Sequence, residues 1–216
     1  MDNPNQVFDA RHRGLTIGVI LGVTIIAFEA LAVVTVAPQI AGALSGMALY
    51  GWIFSAFLLA SLLGITVGGQ QADLRGPGLP FLAGIILFGT GLLISGFAPT
   101  MPLLIAGRAV QGLGSGALVT CFYLAINLAY ADALRPRMMA LVSSAWVLPG
   151  LLGPTAAGFV ADLFGWRVVF WGMVPPLVLV ALLTARAFLR LEGKGQSTNH
   201  LRPAASQIGR ASCRER

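Results

Sequence analysis

Charge is what this sequence has least of. Asp, Glu, Lys and Arg make up only 10% of its 216 residues, 8 acidic and 14 basic. A soluble domain carries about 25%, because its surface must face water. From Arg13 to Asp73 the only charged side chain in between is Glu29. That scarcity excludes a soluble enzyme, a disordered chain and a nucleic-acid module. Cysteine is nearly absent too: Cys121 and Cys213 give neither a disulfide framework nor a metal-ligand spacing. What fills the chain instead is apolar, with 56% hydrophobic residues and a mean hydropathy of +0.82. This is the composition of an integral membrane protein.

A membrane span needs about 20 mainly apolar residues. Six segments reach that length: Leu15–Ala37, Leu49–Gly69, Leu79–Phe97, Pro102–Asn127, Met138–Val160 and Val168–Phe188. In lipid the backbone must satisfy its own hydrogen bonds, and the runs are continuously apolar, so helices are expected and a barrel is not. The polar start, Met1 to Arg13, and the spanning length of the first run speak against a cleavable signal peptide. The net charge of +6 is not a nucleic-acid footprint, since the basic residues gather at the ends of the runs. One side of the membrane receives Arg11, Arg13, Arg75, Arg135, Arg137, Arg186, Arg190 and Lys194; the other receives only Arg167. By the positive-inside rule both ends of the segment lie in the cytoplasm of a cell (plasma or inner) membrane protein. The expected organisation is an N-terminal arm over residues 1–14, a six-helix bundle over 15–188 and a linker over 189–207. The last stretch, 208–216, looks like translated sequencing-adapter read-through, which makes it non-native and the chain a truncated half.

Two strings repeat. Gly69-Gln-Gln-Ala-Asp-Leu-Arg-Gly76 follows the second span and Gly158-Phe-Val-Ala-Asp-Leu-Phe-Gly165 follows the fifth. Each closes the second helix of a group of three, so the copies emerge on opposite faces. That is the pattern of an inverted-topology repeat, three helices plus three, as in secondary transporters.

These residues resemble the major facilitator superfamily, and within it the drug:proton antiporters. Arg108-Ala-Val-Gln111-Gly112-Leu-Gly114 is similar to that family's Arg-x-x-x-Gln-Gly-x-Gly motif. Pro149-Gly-Leu-Leu-Gly153-Pro154-Thr-Ala-Ala-Gly158 resembles the antiporter signature of helix five, with Pro149 and Ala157 standing where the family usually has glycine. Gly69, Asp73, Arg75 and Gly76 resemble the gating motif of the second connection, although Leu74, Pro77 and Gly78 replace its usual basic residues. Glu29, nine residues before Pro38, matches the place of the acid in the first-helix motif. The resemblance covers Leu15 to about Phe188. It implies half of a major-facilitator fold and export of small amphipathic or drug-like compounds. The implied partners are protons, the lipid bilayer and a missing C-terminal half, with the proton gradient as energy source and no cofactor.

The residues argue in the same direction. An ionised acid in mid-span costs roughly 2.5–3.5 kcal/mol on insertion scales, and such a residue is by default functional. Glu29 lies roughly 13 Å from the outer end of its helix and Arg108 roughly 10 Å from that of helix four, from the helical rise. Opposite charges at one depth in hydrocarbon are expected to pair or to share a water-filled cavity, which makes Glu29 and Arg108 the candidate proton-coupling residues. Gln111, Tyr123 and Trp146 are candidate substrate-cavity residues. Trp166 suits an interfacial belt. Small residues at i+4 spacing, Ala56, Ala60, Gly64 and Gly68 on helix two and Ala145, Pro149, Gly153 and Ala157 on helix five, fit either packing within the bundle or docking of the other half. Pro149, Pro154, Pro175 and Pro176 predict kinks. Competing classes are a symporter for a small metabolite, a scaffold and a membrane enzyme. The scaffold would not need Glu29 and Arg108 buried together. The enzyme fails because His12 and His200 lie outside the spans, so a serine–histidine pair at Gly114–Ser115–Gly116 is unavailable. No intramembrane metal cluster is expected either.

Overall fold

The computed structural model describes residues 13–198. The elements are α1 (Arg13–Ala43), a 3-10 turn (Met47–Leu49), α2 (Trp52–Arg75), α3 (Gly78–Phe97), α4 (Met101–Ala129), α5 (Arg135–Ser144), α6 (Val147–Phe164), α7 (Arg167–Trp171) and α8 (Val174–Thr198). Six helical stretches are long and apolar enough to cross a membrane, with α5 and α6 forming the fifth and α7 with α8 forming the sixth. The expected arm over 1–14 and tail over 208–216 lie almost wholly outside the described residues. Of the expected linker, residues 189–198 continue α8 as helix, since no proline interrupts the chain before Pro203.

Proline accounts for where the spans break. A proline removes the amide that would reach the carbonyl four residues earlier. Pro149 frees Ala145, and α5 gives way to α6 at Ala145–Trp146; Pro175 and Pro176 free Trp171 and Gly172, where α7 gives way to α8. Pro154 and Pro38 instead sit inside continuous helix.

The helix pairing carries the repeat. Helix α4 packs most extensively on α2 and α3, while α1 packs on α6 and α8. Exchanging spans one, two and three for four, five and six turns the first set of contacts into the second. The two repeat strings also fold alike. Gly76 (φ 87°, ψ 169°) ends α2 and donates its amide to Ala72; Gly165 (φ 85°, ψ 154°) ends α6 and donates to Ala161. Ala72 and Ala161 occupy the same place in the two strings. That backbone region is open essentially to glycine alone. Gly165→Ala should therefore destabilise the bundle by about 1–3 kcal/mol, although nothing lies within 4 Å of where its methyl would sit. Thermal melts in detergent check this. Asparagine, which relieves only the left-handed helical region, should not rescue it.

The seam between α2 and α4 is built from small residues on both sides. A Cβ on Gly64 would strike the Leu113 backbone, on Gly68 that of Ala117, on Gly112 the Phe57 carbonyl and on Gly116 the Ser61 carbonyl. Ala60, Gly64, Gly68 and Ala72 are accordingly buried within the chain. On α6 the buried stripe is Pro149, Gly153, Ala157 and Ala161. It packs on α1, where a Cβ on Gly153 or Gly158 would meet Leu31 or Thr35 only at an ordinary 3.7 Å. Of the expected stripes, Ala60, Gly64, Gly68, Pro149, Gly153 and Ala157 pack inside the bundle, whereas Ala56 is only half-buried and Ala145 lies at the α5–α6 break; the outer neighbours Leu58, Leu62, Leu151 and Phe159 are exposed. The α1–α6 seam is the looser of the two. Tertiary ties close each end. Thr16 and Tyr130 share a 2.7 Å hydrogen bond at the Arg13 end, next to stacked Phe81 and Phe188. At the other end Arg167 donates to the Ala98 carbonyl at 2.9 Å and lies over the Trp166 ring. Trp166 is buried beneath that arginine and against Phe170 instead of facing a belt of lipid.

Candidate functional site

A guanidinium has five donors in a rigid fork and no acceptor, so burying one requires several acceptors at once. Arg108, on the inner face of α4, is 2% exposed, and its partners come from three helices. Its Nη1 donates to Oε1 of Glu29 on α1 and, at 2.8 Å, to Oε1 of Gln111 one turn along α4. Its Nε donates to the Ile53 carbonyl of α2 at 3.2 Å. The Phe57 ring, one turn further along α2, faces the guanidinium with its centroid 4.2 Å from Cζ. The ring's negative face is attractive to the cation. Glu29 is 1% exposed and Gln111 fully buried. Glu29 Oε2 and Gln111 Nε2 have no hydrogen-bond partner among the described residues.

The two charges expected at one depth thus meet as a buried ion pair in the bundle interior. The sequence did not point to Ile53 or Phe57. A backbone carbonyl leaves no mark in sequence, and one phenylalanine in an apolar span looks like any other.

The candidate cavity residues divide. Tyr123 and Trp146, 45% and 48% exposed, line a small cleft of about 60 Å³ with Val23, Ile26, Val119, Phe122, Ile126 and Val142. Gln111 is not on that cleft; it belongs to the ion-pair cluster, because Arg108 sits on the same face of α4. The cleft is almost wholly apolar, and Ile26 on its wall is one helical turn from Glu29. Desolvation and a nearby cation act in opposite senses on a carboxylate's hold on its proton, so an acid in this position is held between the two.

The remaining motif residues lie apart from this site. Gly69, Asp73, Arg75 and Gly76 occupy the last turns and cap of α2, with Asp73 and Arg75 exposed. Pro149, Gly153, Pro154 and Gly158 lie on α6. Gly153 approaches Phe28 and Leu31, which flank Glu29 in space and sequence along α1. The antiporter-like stretch is therefore seated against the helix that carries the acid. Among the described residues no group of three or more His, Cys, Asp or Glu could hold a metal ion.

Comparison with known proteins bears on the whole arrangement. A multidrug transporter protein, MdtP, of Bacillus subtilis is 27% identical over 183 residues, covering 85% of this chain and 33% of that protein. A "Probable multidrug-efflux transporter" of Mycobacterium tuberculosis is 31% identical over 174 residues, covering 81% of this chain and 37% of its own length. The chain thus spans about a third of the length of these curated relatives. Among solved structures, a D-xylose–proton symporter superposes with a TM-score of 0.71 at 15% identity, over 89% of this chain and 53% of that one. The proton:xylose symporter XylE bound to 6-bromo-6-deoxy-D-glucose gives 0.69 at 16% identity, over 79% of this chain and 43% of the other. At such identities the likeness is one of fold. The family profile of the Major Facilitator Superfamily matches residues 16–213. With its helix pairing, its repeat and its relatives in agreement, this chain belongs to that superfamily of membrane transporters.

Proposed function

We propose that the chain is the first six-helix half of a proton-coupled exporter of small amphipathic compounds, with Glu29 as the proton carrier and Arg108 as its control. The observation that carries this reading is the desolvated Glu29–Arg108 pair in mid-bundle, joined to three helices and one turn from an apolar cleft. A buried ion pair is weak evidence for stability as such, since apolar replacements often serve as well. A device that must be charged in one state and neutral in another has use for it. Protonation would neutralise Glu29 and weaken its hold on Arg108, freeing α1 and α4 to change their relative position along the looser α1–α6 seam. An apolar cation in the cleft, stacked on Tyr123 and Trp146, would compete for the same carboxylate and so exchange for the proton. Export is favoured over uptake by the multidrug names of the curated relatives. The excess of arginine and lysine on one side supports cytoplasmic ends and a plasma-membrane location. On this reading Gly69, Asp73, Arg75 and Gly76 gate the cytoplasmic side.

The test is substrate-induced proton release from the full-length transporter in detergent. A cationic dye should release protons from the unsubstituted protein and none from Glu29→Gln, whose dye-free helical content stays normal. The 216-residue chain alone should give no energised dye export in a pump-deficient host. Undiminished proton release from Glu29→Gln would transfer the role to another acid.

A further inference from the structure

Gln111 has an orientation that chemistry decides. Arginine offers only donors, so a neighbouring amide must turn its oxygen toward the guanidinium. Gln111 does so, its Oε1 accepting from Arg108 Nη1 at 2.8 Å. Its Nε2 is therefore forced away from the guanidinium, fully buried and without a partner. The Gln111 side chain also stands beside the Glu29 carboxylate, whose Oε2 is the second buried, unpartnered atom of the cluster. Neither atom completes a hydrogen bond of normal geometry, although the Gln111 amide acts as a donor toward the Glu29 carboxylate, so both gain from a state in which they are fully used. Arg108 is the charged group that acts on Glu29. Of the helices packed on α1, α6 carries only Asp162, in its last turn, α8 has no acid or base before Arg186, α5 carries Arg135 and Arg137 in its first turn, and α7 carries only Arg167. On α4 the other titratable side chains, Cys121 and Tyr123, lie beyond Gln111 toward the end of the helix.

We propose that Gln111 is the positioning residue of this switch: its amide turns over when Glu29 takes a proton, and in doing so it releases Arg108. The inference rests on the reading of Glu29 as the proton carrier. A hydronium ion delivers its proton to Oε2, the oxygen that Arg108 leaves open, and departs as water; the carboxylate becomes a neutral acid. The new O–H is a donor and needs an acceptor, which the rotated Gln111 Oε1 supplies. The same rotation brings Nε2 round to Arg108 Nη1, donor against donor. One proton thus removes the Gln111 acceptor of Arg108 and weakens the Glu29 one from a carboxylate to a neutral carbonyl oxygen, leaving the Ile53 carbonyl and the Phe57 face unchanged. Without the amide, protonation would weaken only one.

Infrared difference spectroscopy on the full chain in lipid bilayers, between high and low pH, tests this. The unsubstituted chain should give a carboxyl C=O band at a hydrogen-bonded frequency, absent from Glu29→Gln, together with a shift of a glutamine amide band that is also absent from Glu29→Gln. In Gln111→Met, similar in length but without an acceptor, the carboxyl band should move up to the frequency of a free acid. A carboxyl band unmoved in Gln111→Met, or an amide band indifferent to Glu29, overturns the role of Gln111 while leaving the proton carrier in place. Loss of no band in Glu29→Gln overturns the carrier itself. Amide-carbonyl isotope labelling of glutamine in the unsubstituted chain reads the same event should Gln111→Met fail to fold.

Discussion

Arg108→Met should lower the stability of the bundle by about 3–5 kcal/mol, because it leaves the buried Glu29 carboxylate without its cation. The side chain of methionine fills much of the same space, so lost volume contributes little. Adding Glu29→Gln to Arg108→Met should return most of that loss. Neutral, shape-matched replacements of a whole buried pair are often as stable as the pair. The cycle of single and double variants, followed by thermal or denaturant unfolding of the detergent-solubilised chain, gives the coupling directly. A double variant as unstable as Arg108→Met alone would mean that the Ile53 carbonyl and the Phe57 ring, and not Glu29, are what the guanidinium satisfies.

The second large effect is steric. Gly116→Val puts a branched side chain where even a Cβ meets the Ser61 carbonyl and the Ile65 amide of α2. Those are backbone atoms and cannot swing aside, so α2 and α4 must separate. Overpacking typically costs about 1–3 kcal/mol and more where nothing can yield; here the loss should reach at least the top of that range. Gly150→Ala provides a control of opposite sign. It lies on the exposed side of α6 with nothing within 4 Å of the added methyl. Replacing a glycine in the first turn of α6 there should stabilise by up to about 0.5 kcal/mol. Equal responses at the two sites would refute the account of the α2–α4 seam.

How much of this was legible from the residues alone follows from what a membrane makes expensive. Charge in hydrocarbon is costly enough that Glu29 and Arg108 stand out in sequence, and their matching depths left two outcomes, a pair or a shared water-filled cavity, of which the structure has the pair. The repeat of Gly69–Gly76 in Gly158–Gly165 was legible because both copies need a backbone that only glycine adopts. Packing was not legible to the same degree. Small residues at i+4 spacing mark a close approach without saying to what, and only the structure assigns Gly64 and Gly68 to α4. Gln111 was assigned to a cavity because a polar residue in a span suggests a ligand. Its partner proved to be Arg108, three residues away on its own helix. The prolines foretold breaks but not which ones form: Pro149 coincides with one, Pro154 does not.

The crossed pairing of the helices bears on how the chain comes off the ribosome. Among the described residues, α1 has its main partners in α6 and α8, and α2 finds its main partner in α4. The first three spans enter the bilayer with hardly any surface for one another. Membrane helices insert first and associate afterwards, and here association must wait for later spans. When α4 arrives, α2 and α3 gain their seam at once. Span one meets α4 chiefly through Glu29 and Arg108, and gains its main packing surface only when α6 and α8 have been made. An interruption of synthesis between Ala129 and Val147 would leave span one tethered to α4 by that single ion pair, with the rest of its packing face turned to lipid.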